Sequence, residues 1–292
     1  MITFYQNRLN LRDARFLRID HEDTLVSICY KIIQPNSREL ILKICTQTNH
    51  YLREVYFLNH FAGILPVPRI VQLVQPEKDV NGAILMECLP GELLKISDLT
   101  NPLAFEIGSL LARIHLSRTT GYGDLTQPHG LRSDPSIDFT SRFNEDLLEC
   151  KNQLPESLLK KCRRYYDKNV DLLASTDGPC VVHRDFRPGN IIIYEGKVQG
   201  IIDWASARSL FVEEDFCFLE HGQWPIQPDH KKSFLNGYAS VRPVPDYAPT
   251  MPLLRLSRAV AILGFLYREG TWEGKSSRLY QLNRQFLESL NL

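Results

Sequence analysis

The stretch from Val181 to Trp204, V-V-H-R-D-F-R-P-G-N-I-I-I-Y-E-G-K-V-Q-G-I-I-D-W, constrains this chain more than any other. An apolar pair runs into a polar loop holding His183, Arg184, Asp185, Arg187 and Asn190. Ile191 to Tyr194 has the character of a short strand, Glu195-Gly196-Lys197 of a turn, and Val198 to Ile202 of the returning strand. Such a hairpin brings the residue before its first strand beside the residue after its second. Asn190 and Asp203 hold those two places, so an amide oxygen and a carboxylate are expected to meet at one open end. Two hard oxygen ligands suit Mg²⁺, which keeps several waters and takes one or two carboxylates. Asp185, upstream in the same loop, is a second carboxylate, off the metal and able to accept a proton.

Two other readings stay open on these residues alone. His183 and Asp185 are common turn residues and suit an Asx-type turn between two strands. Alternatively, His183, Asp185 and Asp203 all hold one metal, as in a metallohydrolase.

The spacing H-x-D-x-x-x-x-N, followed by an apolar hairpin closing on I-I-D-W, resembles the aminoglycoside phosphotransferase family of small-molecule kinases. That family shares its fold with choline kinases and eukaryotic-type protein kinases. The resemblance implies an α+β, two-lobed, protein-kinase-like fold. A small antiparallel β lobe over residues 1–88 would bind nucleotide, and a larger, mainly helical lobe over 89–292 would hold the catalytic and acceptor sites. It further implies Asp185 as the base, Asn190 and Asp203 as Mg²⁺ ligands, and Arg187 near the γ-phosphate, where protein kinases place a lysine. His183 and Arg184 would hold the loop. The donor would be ATP or GTP, and the acceptor a hydroxyl of a small molecule such as an aminoglycoside or amino alcohol.

The amino-terminal third supplies the expected nucleotide site. Ala14 to Ile19, Leu25 to Ile33 and Leu40 to Cys45 read as strands, with turns at 20–24 and 34–37. Alternation in the third strand puts Leu40, Leu42 and Ile44 on one face and Ile41, Lys43 and Cys45 on the other. Asn49 to Ala62 has helical spacing, and its stripe of Tyr51, Glu54, Phe57, Leu58 and Phe61 is apolar except for Glu54. A carboxylate on a buried stripe needs a partner, and Lys43 on the preceding strand is the natural one. The pair matches the strand lysine and helix glutamate of the family, in which the lysine reaches the α/β-phosphates. The plainer alternatives are a lysine snorkelling at a sheet edge and a rim ion pair. Ala83 to Cys88 reads as the last strand of this lobe, and Leu89-Pro90-Gly91 turns the chain. By resemblance this is the hinge, where backbone groups of Met86, Glu87 and Cys88 would pair with the purine edge. Protein kinases lay a glycine-rich loop over the phosphates, yet there is no glycine before Gly63, and the 20–24 turn carries Asp20, Glu22 and Asp23. Thr24 and Ser27 would offer hydroxyls there instead.

Farther on, Phe105 to Leu116, Phe139 to Gln153, Pro155 to Ser175, Asp229 to Tyr238, Pro252 to Glu269 and Ser276 to Leu290 read as helices. His115 is expected as a packed structural histidine. Asp215 is either the family's aspartate behind the catalytic loop or a helix N-cap. A cationic acceptor needs carboxylates, and Asp138, Glu145, Asp146, Glu213, Glu214, Glu269 and Glu273 are available, equally suited to solvated helix faces.

Composition narrows the class. In 292 residues, 43% hydrophobic and 23% charged content are those of a globular protein, and a formal net charge of zero announces no nucleic-acid partner. The seven scattered cysteines lack C-x-x-C spacing and read as buried apolar residues in a reducing compartment. MITFYQNRLNLRDARF has no signal-type apolar core, and Ala259 to Tyr267 is too short to span a bilayer, so a cytoplasmic chain with no membrane partner is expected. Two rival functions remain. A protein kinase is opposed by Asp203-Trp204-Ala205 in place of D-F-G and by the lack of A-P-E. A non-catalytic nucleotide-binding module is favoured by the acidic, glycine-free turn.

Overall fold

The structure, a computed structural model, describes residues 2–19, 27–220, 226–274 and 276–290. The chain begins with helix α1 (Ile2–Arg8), then strands β1 (Arg15–Ile19), β2 (Ser27–Ile33) and β3 (Glu39–Cys45), helix α2 (Thr48–Phe61), and strands β4 (Ile70–Val74) and β5 (Gly82–Glu87). It continues through β6 (Glu92–Leu93), α3 (Asn101–His115), α4 (Pro135–Glu149), α5 (Glu156–Asn169), β7 (Cys180–Val182), β8 (Ile191–Tyr194) and β9 (Lys197–Ile201). Strand β10 (Arg208–Leu210) and helices α6 (Glu213–Glu220), α7 (Pro228–Ala239), α8 (Met251–Arg268) and α9 (Ser277–Ser289) follow. The architecture is α+β. Contacts gather the chain into two compact units: Met1–Ile114 with His183–Arg208 and Trp224–Pro243, and His115–Val182 with Ser209–Gln223 and Val244–Leu292.

The first unit is built on an antiparallel sheet in the order β1-β2-β3-β5-β4. One face is sealed. Leu40, Leu42 and Ile44 of β3 pack with Ile32, Ala83, Leu85 and Val74, and with Tyr5, Leu9 and Leu11 from the amino-terminal segment. Helix α1 was not legible as an element, because in ITFYQNR only Tyr5 is buried. Strand β4 escapes a period-two reading because a bulge between Ile70 and Gln72 breaks the alternation. The expected strand from Leu25 begins at Ser27 among the described residues, and Thr24 with Asp20, Glu22 and Asp23 lies outside them.

Beyond β5 the chain crosses to a second sheet in the order β6-β8-β9. Gly91 is needed there: its φ is +107°, and a Cβ would collide with the Ile193 carbonyl oxygen. This contact clamps the segment after β5 onto the 191–201 hairpin, whose Glu195-Gly196 turn has φ of 51° and 73°. Helix α3 starts at Asn101 rather than Phe105, because the Thr100 hydroxyl accepts from Leu103 N–H at 3.4 Å and Pro102 suits a first turn.

The second unit is mainly helical, with α8 as its longest helix among the described residues. The region expected as one helix from Pro155 to Ser175 divides into α5 and a tighter 3₁₀ segment, Val170–Ser175. All seven cysteines are free. Cys45, Cys150, Cys162, Cys180 and Cys217 are buried, and Cys29 and Cys88 are half-buried. Among the described residues no helix is long and apolar enough to cross a membrane.

Candidate active site

Strand alternation sets the site. With Leu40, Leu42 and Ile44 committed to the sealed face, Lys43 points to the opposite one, into a cleft of about 340 Å³. Helix α2 buries Tyr51, Glu54, Phe57, Leu58 and Phe61, the stripe read from its sequence. Lys43 Nζ lies 2.9 Å from Glu54 Oε2 and 2.7 Å from Asp203 Oδ1, joining β3, α2 and the end of the 191–201 hairpin. The edge-snorkelling and rim-pair readings fail on burial, since Lys43 and Glu54 are 7% and 1% exposed.

The charges in this triad are set by competition. Burial works against the Lys43 ammonium, but Asp203 and then Glu54 outweigh it, holding the amine well above its ordinary value. Burial also disfavours the Asp203 carboxylate, yet Lys43, with lesser contributions from His183 and Arg187, keeps its carboxyl below the usual range. At Glu54 burial prevails over Lys43 and raises the carboxyl. Of the two acids on Lys43, Asp203 is the one whose carboxyl is held below the usual range, and its side chain is 35% exposed.

The loop before the hairpin is ordered by its own polar groups. His183 is fully buried, its Nε2 3.1 Å from the Ile202 carbonyl and its ring against Phe186 and Trp204. That leaves it a structural residue, and among the described residues no three His, Cys, Asp or Glu side chains group as metal ligands. The metallohydrolase reading is excluded on both counts. Asp185 accepts from Arg187 Nε at 3.3 Å to each oxygen and from Asn190 Nδ2 at 2.6 Å. Asn190 also donates to the Asp185 carbonyl at 2.8 Å, and its own carbonyl accepts from Ile202 N–H at 3.0 Å. The hairpin brings the chain at Asn190 beside Ile202, one residue short of the expected partner Asp203. The Asn190 side-chain nitrogen, however, turns back to Asp185, a bond that spacing did not reveal. Arg184 and Asp203 both have left-handed backbones, with φ of 63° and 65°, a strain that concentrates at functional sites.

Met86, Glu87, Cys88, Arg187, Asn190 and Asp203 all line the cleft with Lys43 and Glu54, and Ser27 joins them at its rim. Glu87 N–H already donates to the Arg69 carbonyl at 2.9 Å, so that group is not open to a base edge. Two residues were missed by sequence reasoning. Trp204 and Arg53 tie α2 to the segment after Asp203, and the only sequence signal was the aromatic stripe of α2 itself.

In the second unit the acidic residues are mostly engaged. Asp138 pairs with Arg142 at 3.0 Å and Glu214 with the same arginine at 3.7 Å. Glu213 accepts from the Asp177 backbone N–H at 3.1 Å, Glu145 from Ser141 at 3.1 Å, and Glu269 lies 3.5 Å from Arg268. Asp146 is half-buried and Glu273 is exposed. Asp215 is not an N-cap. It lies inside the first turn of α6, buried, 3.1 Å from the buried His115 Nε2.

Solved structures with this architecture include aminoglycoside phosphotransferases. APH(4)-Ia matches with a TM-score of 0.73 at 15% identity, over 100% of this chain and 100% of that one. A thermostable mutant of it forms a ternary complex with AMP-PNP and hygromycin B. The gentamicin complex of APH(2″)-IIa matches with a TM-score of 0.70 at 15% identity, over 99% and 96% of the two chains. These likenesses define the fold class, protein-kinase-like α+β. The sequence then places the chain within it: residues 29–253 match the phosphotransferase enzyme family, and the chain belongs to that family. A homoserine kinase of Gluconobacter oxydans (strain 621H) is 26% identical over 200 residues, 65% of this chain. The chain spans 60% of the length of that curated relative.

Proposed function

We propose that this protein transfers the γ-phosphoryl group of ATP, or GTP, to a hydroxyl of a small molecule. The reading is carried by one observation: Lys43, Glu54 and Asp203, with 160 residues of sequence between Lys43 and Asp203, line one cleft with Arg187 and Asn190, both of which bond to the Asp185 carboxylate. In this reading residues 1–88 hold the nucleotide and residues 89–292 carry the catalytic loop and the acceptor. Backbone groups around Met86, Glu87 and Cys88 receive the base, with the Glu87 carbonyl and the Cys88 N–H as the groups for it. Lys43, oriented by Glu54, binds phosphate oxygens, and Thr24 contributes a hydroxyl. Asp185 takes the proton from the acceptor hydroxyl as its oxygen attacks the γ-phosphorus, and the nucleoside diphosphate leaves. Arg187 holds the Asp185 carboxylate in place and supplies positive charge beside the transferred group.

The donor set fits Mg²⁺. Asp203 offers an ionised, partly exposed carboxylate, and Asn190, with its amide nitrogen committed to Asp185, keeps an amide oxygen for a hard cation. When bound there, Mg²⁺ would neutralise phosphate charge. The acceptor class we favour is a hydroxylated amine. The homoserine kinase relative and the structures bound to gentamicin and hygromycin B support it. The test is a screen of aminoglycosides, amino alcohols and hydroxy amino acids with Mg²⁺-ATP, read by ³¹P NMR for a phosphate monoester and by ADP release. A monoester formed by the wild type and not by Asp185→Asn is expected. Tight Mg²⁺-ATP binding with no product from any acceptor would replace this reading with a non-catalytic nucleotide-binding protein.

A further inference from the structure

The second unit holds a cavity of its own, of about 470 Å³, at the start of α8. That volume lies within the roughly 300–1,000 Å³ of small-molecule sites. Met251 and Arg255 of α8, Phe286 of α9, Glu220 at the end of α6 and the loop residues Asp246 and Tyr247 line it. The Arg255 guanidinium lies 4.4 Å from the centre of the Phe286 ring, which holds it in place. Its Nε is buried with no hydrogen-bond partner, and Arg255 forms no ion pair among the described residues. A buried donor left unpaired on a charged group is costly, and a bound anion would satisfy it.

The same cavity carries two carboxylates. Glu220 Oε1 accepts from the Tyr247 hydroxyl at 3.2 Å, and the Tyr247 ring is itself stacked on Phe216 at 4.8 Å. Burial and then Glu220 push the Tyr247 phenol up to about 12, so it stays a neutral donor at neutral pH. Asp246 is exposed and has no partner among the described residues. A plain anion on Arg255 would be repelled by Glu220 and Asp246, and a plain cation would be repelled by Arg255. A small zwitterion matches both signs.

We propose that this cavity binds an α-amino acid, with its carboxylate on Arg255, its ammonium toward Glu220 and Asp246, and its side chain against Met251 and Phe286. The forked donors of arginine suit a carboxylate, and the positive end of α8 adds to the attraction. Binding stands on the cavity alone and does not rest on the phosphotransfer reading. The bound amino acid is either the acceptor or an effector, and turnover separates the two.

The experiment titrates wild type, Arg255→Gln and Asp246→Asn by calorimetry with L-homoserine, L-2-aminobutyrate and butyrate. Each mixture is then given Mg²⁺-ATP and followed by ³¹P NMR. The wild type is expected to bind both amino acids, and butyrate more weakly. Arg255→Gln should bind both amino acids about 10–100-fold more weakly. Asp246→Asn should bind 2-aminobutyrate about 2–5-fold more weakly and butyrate no more weakly than the wild type. No binding of either amino acid by the wild type would overturn the proposal. So would wild-type affinity in folded Arg255→Gln, or butyrate binding as tightly as 2-aminobutyrate. If Arg255→Gln does not fold, Asp246→Asn decides, and the same change for 2-aminobutyrate and butyrate would overturn the proposal. Homoserine phosphorylated with a raised KM in Arg255→Gln marks the acceptor. Both amino acids bound with neither phosphorylated marks an effector, and either result supports the site. Absence of product from every acceptor screened would refute the phosphotransfer reading and leave the binding comparison intact.

Discussion

The molecule carries two sets of clustered polar and charged groups, one in each compact unit, each built of acids and bases. In the first, Lys43, Glu54, Asp203, Arg187 and Asn190 line a cleft, Asp185 is bonded to the last two, and the two aspartates stay 35% and 23% exposed. In the second, His115 with Asp215, Arg142 with Asp138 and Glu214, and Glu213 on the Asp177 N–H are buried or nearly so. Composition does not separate them. What differs is that the first set leaves carboxylates facing open volume beside left-handed backbone at Arg184 and Asp203. In the second set the polar groups close on one another within the fold, apart from Arg142 Nη2, which has no hydrogen-bond partner and lies 3.7 Å from Glu214. A charged cluster with exposed acids and a strained backbone is arranged for a ligand. One whose polar atoms are mutually satisfied is arranged for stability.

Substitutions in the two units should separate accordingly. The largest effect is expected at Asp185. General bases contribute about 10²–10⁴-fold, so Asp185→Asn should lower kcat at least about a hundredfold, with Mg²⁺-ATP affinity nearly unchanged in calorimetry. Lost nucleotide affinity of similar size would move Asp185 from base to nucleotide ligand. Next is the Lys43–Glu54 pair. Lys43→Ala and Glu54→Gln should each weaken nucleotide binding, and a double-mutant cycle should show a coupling of about 0.5–3 kcal/mol. Simple additivity would make the two residues independent.

In the second unit the readout changes from affinity to stability. Glu213→Gln leaves the Asp177 N–H a weaker acceptor, and should reduce unfolding free energy by about 1–3 kcal/mol while nucleotide affinity stays at the wild-type value. A reduced affinity with unchanged denaturation would erase the distinction between the two clusters. The smallest effect belongs to the exposed Glu273. Glu273→Gln should change stability by less than about 0.5 kcal/mol and bind Mg²⁺-ATP normally. A selective loss of acceptor affinity there would make it a recognition residue.

Much of the first cluster was legible in the sequence because its geometry is local or periodic. The 191–201 hairpin follows from two apolar runs around Glu195-Gly196, and the Lys43 face follows from alternation with Leu40, Leu42 and Ile44. Glu54 stood out as the one acid on an apolar stripe. Contacts that depend on side-chain rotamers were not legible. Asn190 Nδ2 reaching Asp185, and the indole of Trp204 filling the space beside Phe57 and Phe61, are tertiary choices that no spacing encodes. The second cluster was legible only as a set of acids on helices. Whether Glu213 faces solvent or the Asp177 N–H is decided by packing of α6, which is buried along most of its length. Strand β6 was missed for a related reason: two residues, Glu92 and Leu93, pair with β8 only because Gly91 admits the close approach.

The central claim is that the first cluster binds a metal-bound nucleotide through Asp203. Its most direct test is calorimetric titration of wild type and Asp203→Asn with ATP at rising Mg²⁺ concentrations. Asp203 sits partly exposed at the end of a hairpin, so the asparagine variant should remain folded, with circular dichroism as the check. The account predicts that wild-type affinity climbs with Mg²⁺ and that Asp203→Asn loses most of that dependence. Identical Mg²⁺ dependence in the two proteins would contradict it.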